Sequence, residues 1–161
     1  MDSHDSPYTS APDVLPPESP EEPGEEPIRW GLHLGLLLLT TVTTTLAGVG
    51  LARGIPVSLV FCEPVWVLLD EPHMLLSGLL FSGPLLTIFL AHELAHYVVA
   101  RRHGVHATLP FFIPLPVGLG TLGAVIRMRS PARDRNSLFD IEVAGPLAGL
   151  VVAVPALLLG R

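Results

Sequence analysis

Residues 74–100, MLLSGLLFSGPLLTIFLAHELAHYVVA, form an apolar run long enough to cross a bilayer as one helix. The run contains His92-Glu93-Leu94-Ala95-His96 near its end. At 3.6 residues per turn, His92 and His96 lie on one helix face, so that their imidazoles can bind the same metal ion, and Glu93 lies beside that face. Imidazole nitrogens suit zinc, which activates water when it keeps an open coordination position. The pattern predicts peptide-bond hydrolysis, with Glu93 as the general base that takes a proton from the water on the zinc.

The alternative for this five-residue pattern is a chance arrangement of two histidines and a glutamate. Its position favours the metal site, because inserting ionisable side chains into an apolar helix costs several kcal/mol and such residues within a membrane are usually functional. A glutamate with no role in catalysis is not expected inside an apolar helix. We therefore expect His92, Glu93 and His96 to form the active site.

The composition indicates a polytopic membrane protein, since 49% of the 161 residues are hydrophobic and only 15% are charged. The net charge of −6 comes from residues 1–28, which hold eight acids, seven prolines and no Lys or Arg. This segment is predicted to be a disordered, Pro-rich cytosolic tail, and residues 29–161 to be the membrane-embedded core. The tail could dock a cytosolic partner or simply be solvated. No basic patch interleaved with aromatic residues suggests nucleic acid.

Three segments are predicted to span the bilayer: residues 30–52, 74–100 and 138–160. Gly83-Pro84 predicts a kink in the second span. Between the second and third spans, three prolines and then three glycines interrupt residues 107–123, so a helix is not expected there. Residues 121–129 can form a strand that pairs with the preceding stretch. The predicted fold is thus an all-α polytopic membrane protein with about three transmembrane helices and an inserted, membrane-associated β-hairpin.

The distribution of arginine predicts the orientation of the chain in the membrane. Six arginines lie between residues 101 and 135, whereas residues 53–73 hold one arginine and three acids. The positive-inside rule places the arginine-rich connection, and with it the N-terminus, in the cytosol. The metal site would then lie about 10 Å below the cytosolic face of the membrane and open toward it.

The hairpin is expected to bind substrate. Small residues on residues 121–129 would let an extended peptide lie along the strand edge, where main-chain hydrogen bonds give affinity that tolerates sequence variation. The alternative is a re-entrant loop with a structural role only. In the third span, Gly145, Ala148 and Gly149 are small residues at helical spacing, and we expect them to pack against the helix of His92 and His96.

Three segments occur in an order that resembles the site-2 protease family of intramembrane zinc metalloproteases: HELAH at 92–96, GTLGA at 120–124 and FDIEVAGPLAG at 139–149. The resemblance implies that His92 and His96 bind Zn²⁺ and that Glu93 is the catalytic base. It also implies that the protein sits in a lipid bilayer and cleaves transmembrane protein substrates in or near their transmembrane segments. The segment implied to present substrate comprises Gly120, Thr121, Leu122, Gly123 and Ala124. The helix implied to pack on the catalytic helix begins at Gly145-Pro146.

The family takes a third zinc ligand from an aspartate in a Leu-Asp-Gly motif on a later helix, and residues 1–161 contain no such motif. The resemblance therefore implies an N-terminal portion of a longer protein, and whether these 161 residues hydrolyse peptides alone stays open. Asp140 and Glu142 are the candidates for a substitute ligand. The more ordinary role for Asp140 is to help start the third helix.

Two alternatives to the intramembrane protease stay open. A membrane-bound zinc protease with a glutamate as third ligand and a site outside the bilayer would not explain residues 120–124 or 139–149. A non-catalytic membrane module, truncated or inactive, would bind metal or partners without hydrolysis.

Overall fold

The computed structural model describes residues 29–55, 70–132 and 134–160. Residues 1–28, for which the sequence predicts an acidic cytosolic tail, lie outside the described residues. The division into this tail and a membrane-embedded core therefore stays a prediction.

Three long helices dominate the described residues, as the sequence predicts. They are α1 (Trp30–Ala52), α2 (Met74–Arg102) and α3 (Arg135–Leu159), and each is long and apolar enough to cross a membrane. The bounds of α1 agree with the predicted span, and α2 continues two residues past it. Gly83 and Pro84, where the sequence predicts a kink, both lie within α2.

The start of α3 differs from the prediction. The helix begins at Arg135 because Asp134, in an extended conformation, caps it by accepting a hydrogen bond from the Ser137 N–H at 2.7 Å. This backbone hydrogen bond, together with one from the Ser137 side chain, lowers the pKa of the Asp134 carboxyl. Asp140, which the sequence suggested as the helix-starting acid, lies beyond the first turn and does not cap the helix.

The predicted hairpin is present between α2 and α3. Its strands are β1 (Phe111–Pro114) and β2 (Thr121–Val125), paired antiparallel with Phe112 opposite Ala124. The register shifts after Ile113, because Ile113 faces Gly123 whereas Pro114 faces Thr121, which leaves Leu122 as the extra residue of a bulge. The strand is shorter than the predicted 121–129, although an isolated bridge joins Ala107 to Met128.

Small residues bring α1 and α2 into close contact. A Cβ on Gly78 would lie 2.5 Å from the Thr45 carbonyl oxygen, and a Cβ on Gly48 would lie 2.7 Å from Phe81 Cβ. Beside this contact, the buried hydroxyls of Thr45 and Ser82 are 3.0 Å apart. The hairpin completes the arrangement, since β1 packs on α1 and β2 also contacts α2.

Candidate active site

The imidazole rings of His92 and His96 face each other from successive turns of α2. Their Nε2 atoms are 3.0 Å apart, and the rings meet edge to face with centroids separated by 4.7 Å. Nδ1 of His96 lies 2.6 Å from the Ile141 carbonyl oxygen on α3. Because a carbonyl oxygen only accepts, Nδ1 carries the proton, and in the neutral ring Nε2 keeps its lone pair toward His92.

Two glycines on α3 make room for these rings. A Cβ on Gly145 would overlap the His96 ring at Nε2, and a Cβ on Gly149 would lie 3.4 Å from His92 Nδ1. Gly145 and Gly149 are four residues apart and so share a face of α3, as the two histidines share a face of α2. The absence of two side chains on α3 therefore sets where the two imidazoles lie.

Glu93 is half-buried next to the histidine pair, on the side of α2 that faces the hairpin. The backbone N–H of Ile126, directly after β2, lies close enough to the Glu93 carboxylate to interact with its charge. Gly123 of β2 is also close to α2, since a Cβ there would lie 4.0 Å from Phe89 Cε1. The carboxylate is thus placed between the histidine pair and the end of a β-strand.

Comparison with known proteins agrees with this arrangement. Residues 80–160 match Peptidase family M50, and the match covers about half of the 161 residues. The chain belongs to peptidase family M50. This membership confirms the resemblance to site-2 proteases that the three sequence segments indicate. The M50 match includes the histidine pair, Glu93, both strands and α3.

Several curated plant proteins are similar to this M50 chain. The probable zinc metalloprotease EGY1, chloroplastic, of Oryza sativa subsp. japonica is 40% identical over 77 residues, which are 48% of this chain and 13% of that protein. The protein of the same name from Arabidopsis thaliana is 31% identical over 150 residues, 86% of this chain and 27% of that protein. The chain therefore spans only a minor part of the length of these relatives. No solved structure matches it at a significant level.

The histidine pair fits the zinc expected of an M50 protein. Two nitrogens bound tetrahedrally at the usual Zn–N distance of 2.0–2.1 Å lie about 3.3 Å apart, close to the 3.0 Å between the two Nε2 atoms. The hydrogen bond from His96 Nδ1–H to the Ile141 carbonyl is the kind of outer contact that orients a histidine ligand. Within the described ranges, however, no three His, Cys, Asp or Glu side chains converge as a metal-binding group.

Asp140 and Glu142, the two substitute ligands suggested by the sequence, stay predictions. The Asp140 carboxylate pairs with His103 Nε2 at 3.2 Å, at the cytosol-facing end predicted for α2. Glu142 is exposed on α3. Ile141, between them, is the residue whose backbone carbonyl reaches His96. Helix α3 is rotated so that the Ile141 carbonyl points toward the histidine pair. Among the described residues, neither Asp140 nor Glu142 belongs to a group of three side chains that could hold a metal ion.

The hairpin segment predicted to bind substrate is mostly buried. Gly120, Thr121, Gly123 and Ala124 are buried, whereas the Leu122 side chain is 68% exposed. The Thr121 hydroxyl bonds within the hairpin, since it donates to the Ile113 carbonyl at 2.9 Å and accepts from the Gly123 N–H at 2.9 Å. The small residues thus let the strand pack closely. Binding of a peptide along it stays a prediction, and within residues 120–124 the Leu122 side chain is the exposed part.

Sequence reasoning missed two backbone groups that lie next to the site's side chains, the Ile141 carbonyl beside His96 and the Ile126 N–H near Glu93. Every residue carries a carbonyl, and every residue except proline an N–H, so neither group has a signature in the sequence. The only available signal was indirect: Gly145 follows Ile141 by one helical turn, which places the close approach of α3 next to that carbonyl.

Proposed function

We propose that the protein carrying this chain is a zinc-dependent intramembrane endopeptidase that hydrolyses peptide bonds in or near transmembrane segments of other membrane proteins. The observation that carries the proposal is the pair of Nε2 atoms 3.0 Å apart, with the Glu93 carboxylate beside them, in a long apolar helix. Membership of the M50 family and similarity to proteins named as zinc metalloproteases support it.

His92 and His96 would hold the zinc through Nε2. When bound, zinc supplies a Lewis acid that polarises the scissile carbonyl and makes water acidic enough to react near neutral pH. The Ile141 carbonyl holds the proton of His96 on Nδ1, which keeps Nε2 available. Glu93 accepts a proton from the attacking water and passes it to the leaving amine nitrogen.

The distribution of side chains supports a membrane location for this site. The outer faces of the helices are apolar, with Leu38 and Leu80 each 67% exposed and Val151 71% exposed. Hydroxyl-bearing residues such as Thr40, Thr44 and Ser82 are buried inside the protein. Exposed hydrocarbon around a polar interior suits a lipid surrounding, because the polar groups are satisfied by protein and the apolar groups meet lipid.

Arginine supports the orientation in which the N-terminus and the active site face the cytosol. Arg101 and Arg102 are exposed at the end of α2, and Arg127 and Arg129 are exposed after β2. Residues 53–73 carry one arginine and three acids. On the positive-inside rule the end of α2 nearest His96 is the cytosolic end.

The second candidate function is a non-catalytic module that binds metal or partners. It is favoured by one observation, namely that the described residues supply two histidines and no third ligand to them. A catalytic zinc site has three protein ligands and a water. The two functions differ in a measurable way, because only the peptidase requires Glu93 for turnover.

The test uses the full-length protein in detergent micelles with a model transmembrane substrate. Glu93→Gln should retain zinc and reduce cleavage by at least about a hundredfold, since a general base contributes about 10²–10⁴ in rate. His96→Ala should lose most of the bound zinc, measured by atomic absorption.

Two matched variants control for general damage. Asp70→Asn neutralises an exposed acid ahead of α2, and His73→Ala removes an exposed histidine at the start of α2; both should retain zinc and cleavage. Cleavage that survives Glu93→Gln would support the non-catalytic assignment of this site. A full zinc content in His96→Ala would remove that residue from the metal site.

A further inference from the structure

The hairpin is held against α1 by contacts at two separate points. The first is near the start of α1, where His33 Nδ1 donates to the Pro110 carbonyl at 3.0 Å. The His33 ring also stacks on Phe111, with centroids 4.2 Å apart and an interplanar angle of 30°. The structure thus places the His33 ring at the entry to β1.

The second point is Thr43, whose hydroxyl donates to the Gly120 carbonyl at 2.6 Å. Its alternative acceptors in α1, the Leu39 and Thr40 carbonyls, are each 3.1 Å away. Neighbouring threonines behave differently, since Thr41 bonds to the carbonyl four residues back in its own helix at 2.8 Å. Thr43 therefore directs its shortest hydrogen bond out of the helix, to the start of β2.

Residue 120 must be a glycine for this contact to form. Its φ of +88° favours glycine, and a Cβ there would lie 2.5 Å from the Thr43 carbonyl oxygen and 2.6 Å from Thr44 Cα. The approach of the hairpin to α1 is thus a backbone-to-backbone contact, fixed by one hydroxyl. We call the contacts of His33 and Thr43 with the hairpin the α1 clasp.

The clasp and the active site hold the hairpin from different directions. His33 and Thr43 are ten residues apart, about 15 Å along α1, and they hold the entries to β1 and β2. Strand β2 contacts α2, with the Gly123 position 4.0 Å from Phe89 Cε1, and directly after β2 the Ile126 N–H lies near the Glu93 carboxylate. Backbone groups two residues apart point to the same edge of a strand, so the edge of Ala124 and Ile126 faces the catalytic helix.

We propose that His33 and Thr43 are positioning residues that fix the edge of β2 beside Glu93, so that an extended substrate pairs with this edge in one register. The proposal rests on the proposed peptidase function. A slip of one residue in strand pairing turns every side chain to the opposite face and brings a different peptide bond to the site. Both residues lie outside the segment 80–160 that matches the M50 family.

The experiment compares Thr43→Val with Thr41→Val in the full-length, zinc-loaded protein. Both changes remove one hydroxyl from α1, but only the first breaks the bond to the hairpin. Thr43→Val should raise KM about fivefold, the value of one typical hydrogen bond, and spread cleavage over neighbouring bonds, as read by mass spectrometry of the products. Zinc content should not change. Thr43→Ser should restore both KM and the cleavage position, and Thr41→Val should behave as wild type.

Hydrogen exchange separates positioning from unfolding. Amides of residues 121–126 should exchange faster in Thr43→Val, whereas amides of α2 should not. Equal KM, cleavage position and exchange in Thr43→Val and Thr41→Val, with wild type active, would overturn the clasp alone. Wild-type cleavage no higher than that of Glu93→Gln would overturn the proposed function, and the clasp's role in catalysis with it.

Discussion

Helix α2 makes two close helix contacts, one with α1 and one with α3, and glycine permits both. In the first, Gly78 lies against the backbone and side chain of Thr45. In the second, Gly145 lies against the imidazole of His96. Glycine thus lets two helix backbones meet in the α1–α2 contact, and lets a helix backbone meet an imidazole ring in the α2–α3 contact.

The two contacts differ in which atoms would have to move if the glycine were replaced by a residue with a side chain. Near Gly78 the obstacle includes a main-chain oxygen, which moves only if the whole helix moves. Near Gly145 the obstacle is the end of a side chain, which can rotate away at little cost to folding. The contact between α1 and α2 therefore determines the stability of the helix pair, whereas the contact between α2 and α3 determines the geometry of the proposed metal site.

Gly145→Ala should have the largest effect on function. The added methyl group would displace the His96 ring and break its hydrogen bond to the Ile141 carbonyl. We expect a loss of zinc affinity of about a hundredfold, at the upper end for lost outer contacts of a metal ligand, with little change in thermal unfolding of the zinc-free protein. Zinc affinity is measured by competition with a chelator.

Gly149→Ala is the matched control for that variant, because it makes the same change one turn along α3. A Cβ there would lie 3.4 Å from His92 Nδ1, a distance that needs little adjustment. The expected loss of zinc affinity is below about tenfold. Equal losses in the two variants would show that α3 packing in general, and not displacement of His96, governs zinc binding.

Gly78→Ala should have the opposite profile. Since the methyl group would meet the Thr45 backbone, we expect α1 and α2 to shift apart and the free energy of unfolding to fall by about 1–3 kcal/mol. Zinc stoichiometry should stay that of wild type in the folded fraction. Unfolding in detergent, followed by circular dichroism, measures the first quantity. A selective loss of zinc without loss of stability would contradict the distinction between the two contacts.

The smallest effect is expected at Asp134, which fixes the start of the helix that carries Gly145. The hydrogen bonds from Ser137 lower its pKa below the ordinary value of 3.8, so the stabilisation is present above pH 3.8 and is lost as the pH falls through the lower folded value. Asp134→Ala should lower Tm slightly at neutral pH, and the difference from wild type should shrink on acidification below 3.8. A difference that persists at low pH would assign the effect to something other than the ionised cap.

Local patterns in the sequence predicted much of this structure. The apolar runs predicted three long helices, because 20 or so apolar residues have few other stable arrangements. Prolines and glycines predicted the hairpin, and the spacing of His92 and His96 predicted that their rings share a face. The start of α3 was misplaced, since Asp134 lies outside the apolar run from which the span was read.

What the sequence could not predict depends on contacts between distant parts of the chain. The bond from Thr43 to the Gly120 carbonyl joins residues 77 positions apart, and nothing in a run of threonines shows which one points outward. The pairing of Asp140 with His103 is another such contact. Both follow from how the helices are rotated, which only the assembled fold defines.

Pro84 gives α2 a mechanical property that neither half of the helix has alone. Proline has no N–H to bond to the carbonyl one turn back, so bending stiffness is lowest there. The contacts with α1, through Gly78 and Ser82, lie on one side of Pro84, and His92 and His96, which contact α3, lie on the other. Bending at Pro84 would change the angle between the α1–α2 pair and the α2–α3 pair while each pair stays assembled. The bend would then lie away from the histidines of the proposed metal site.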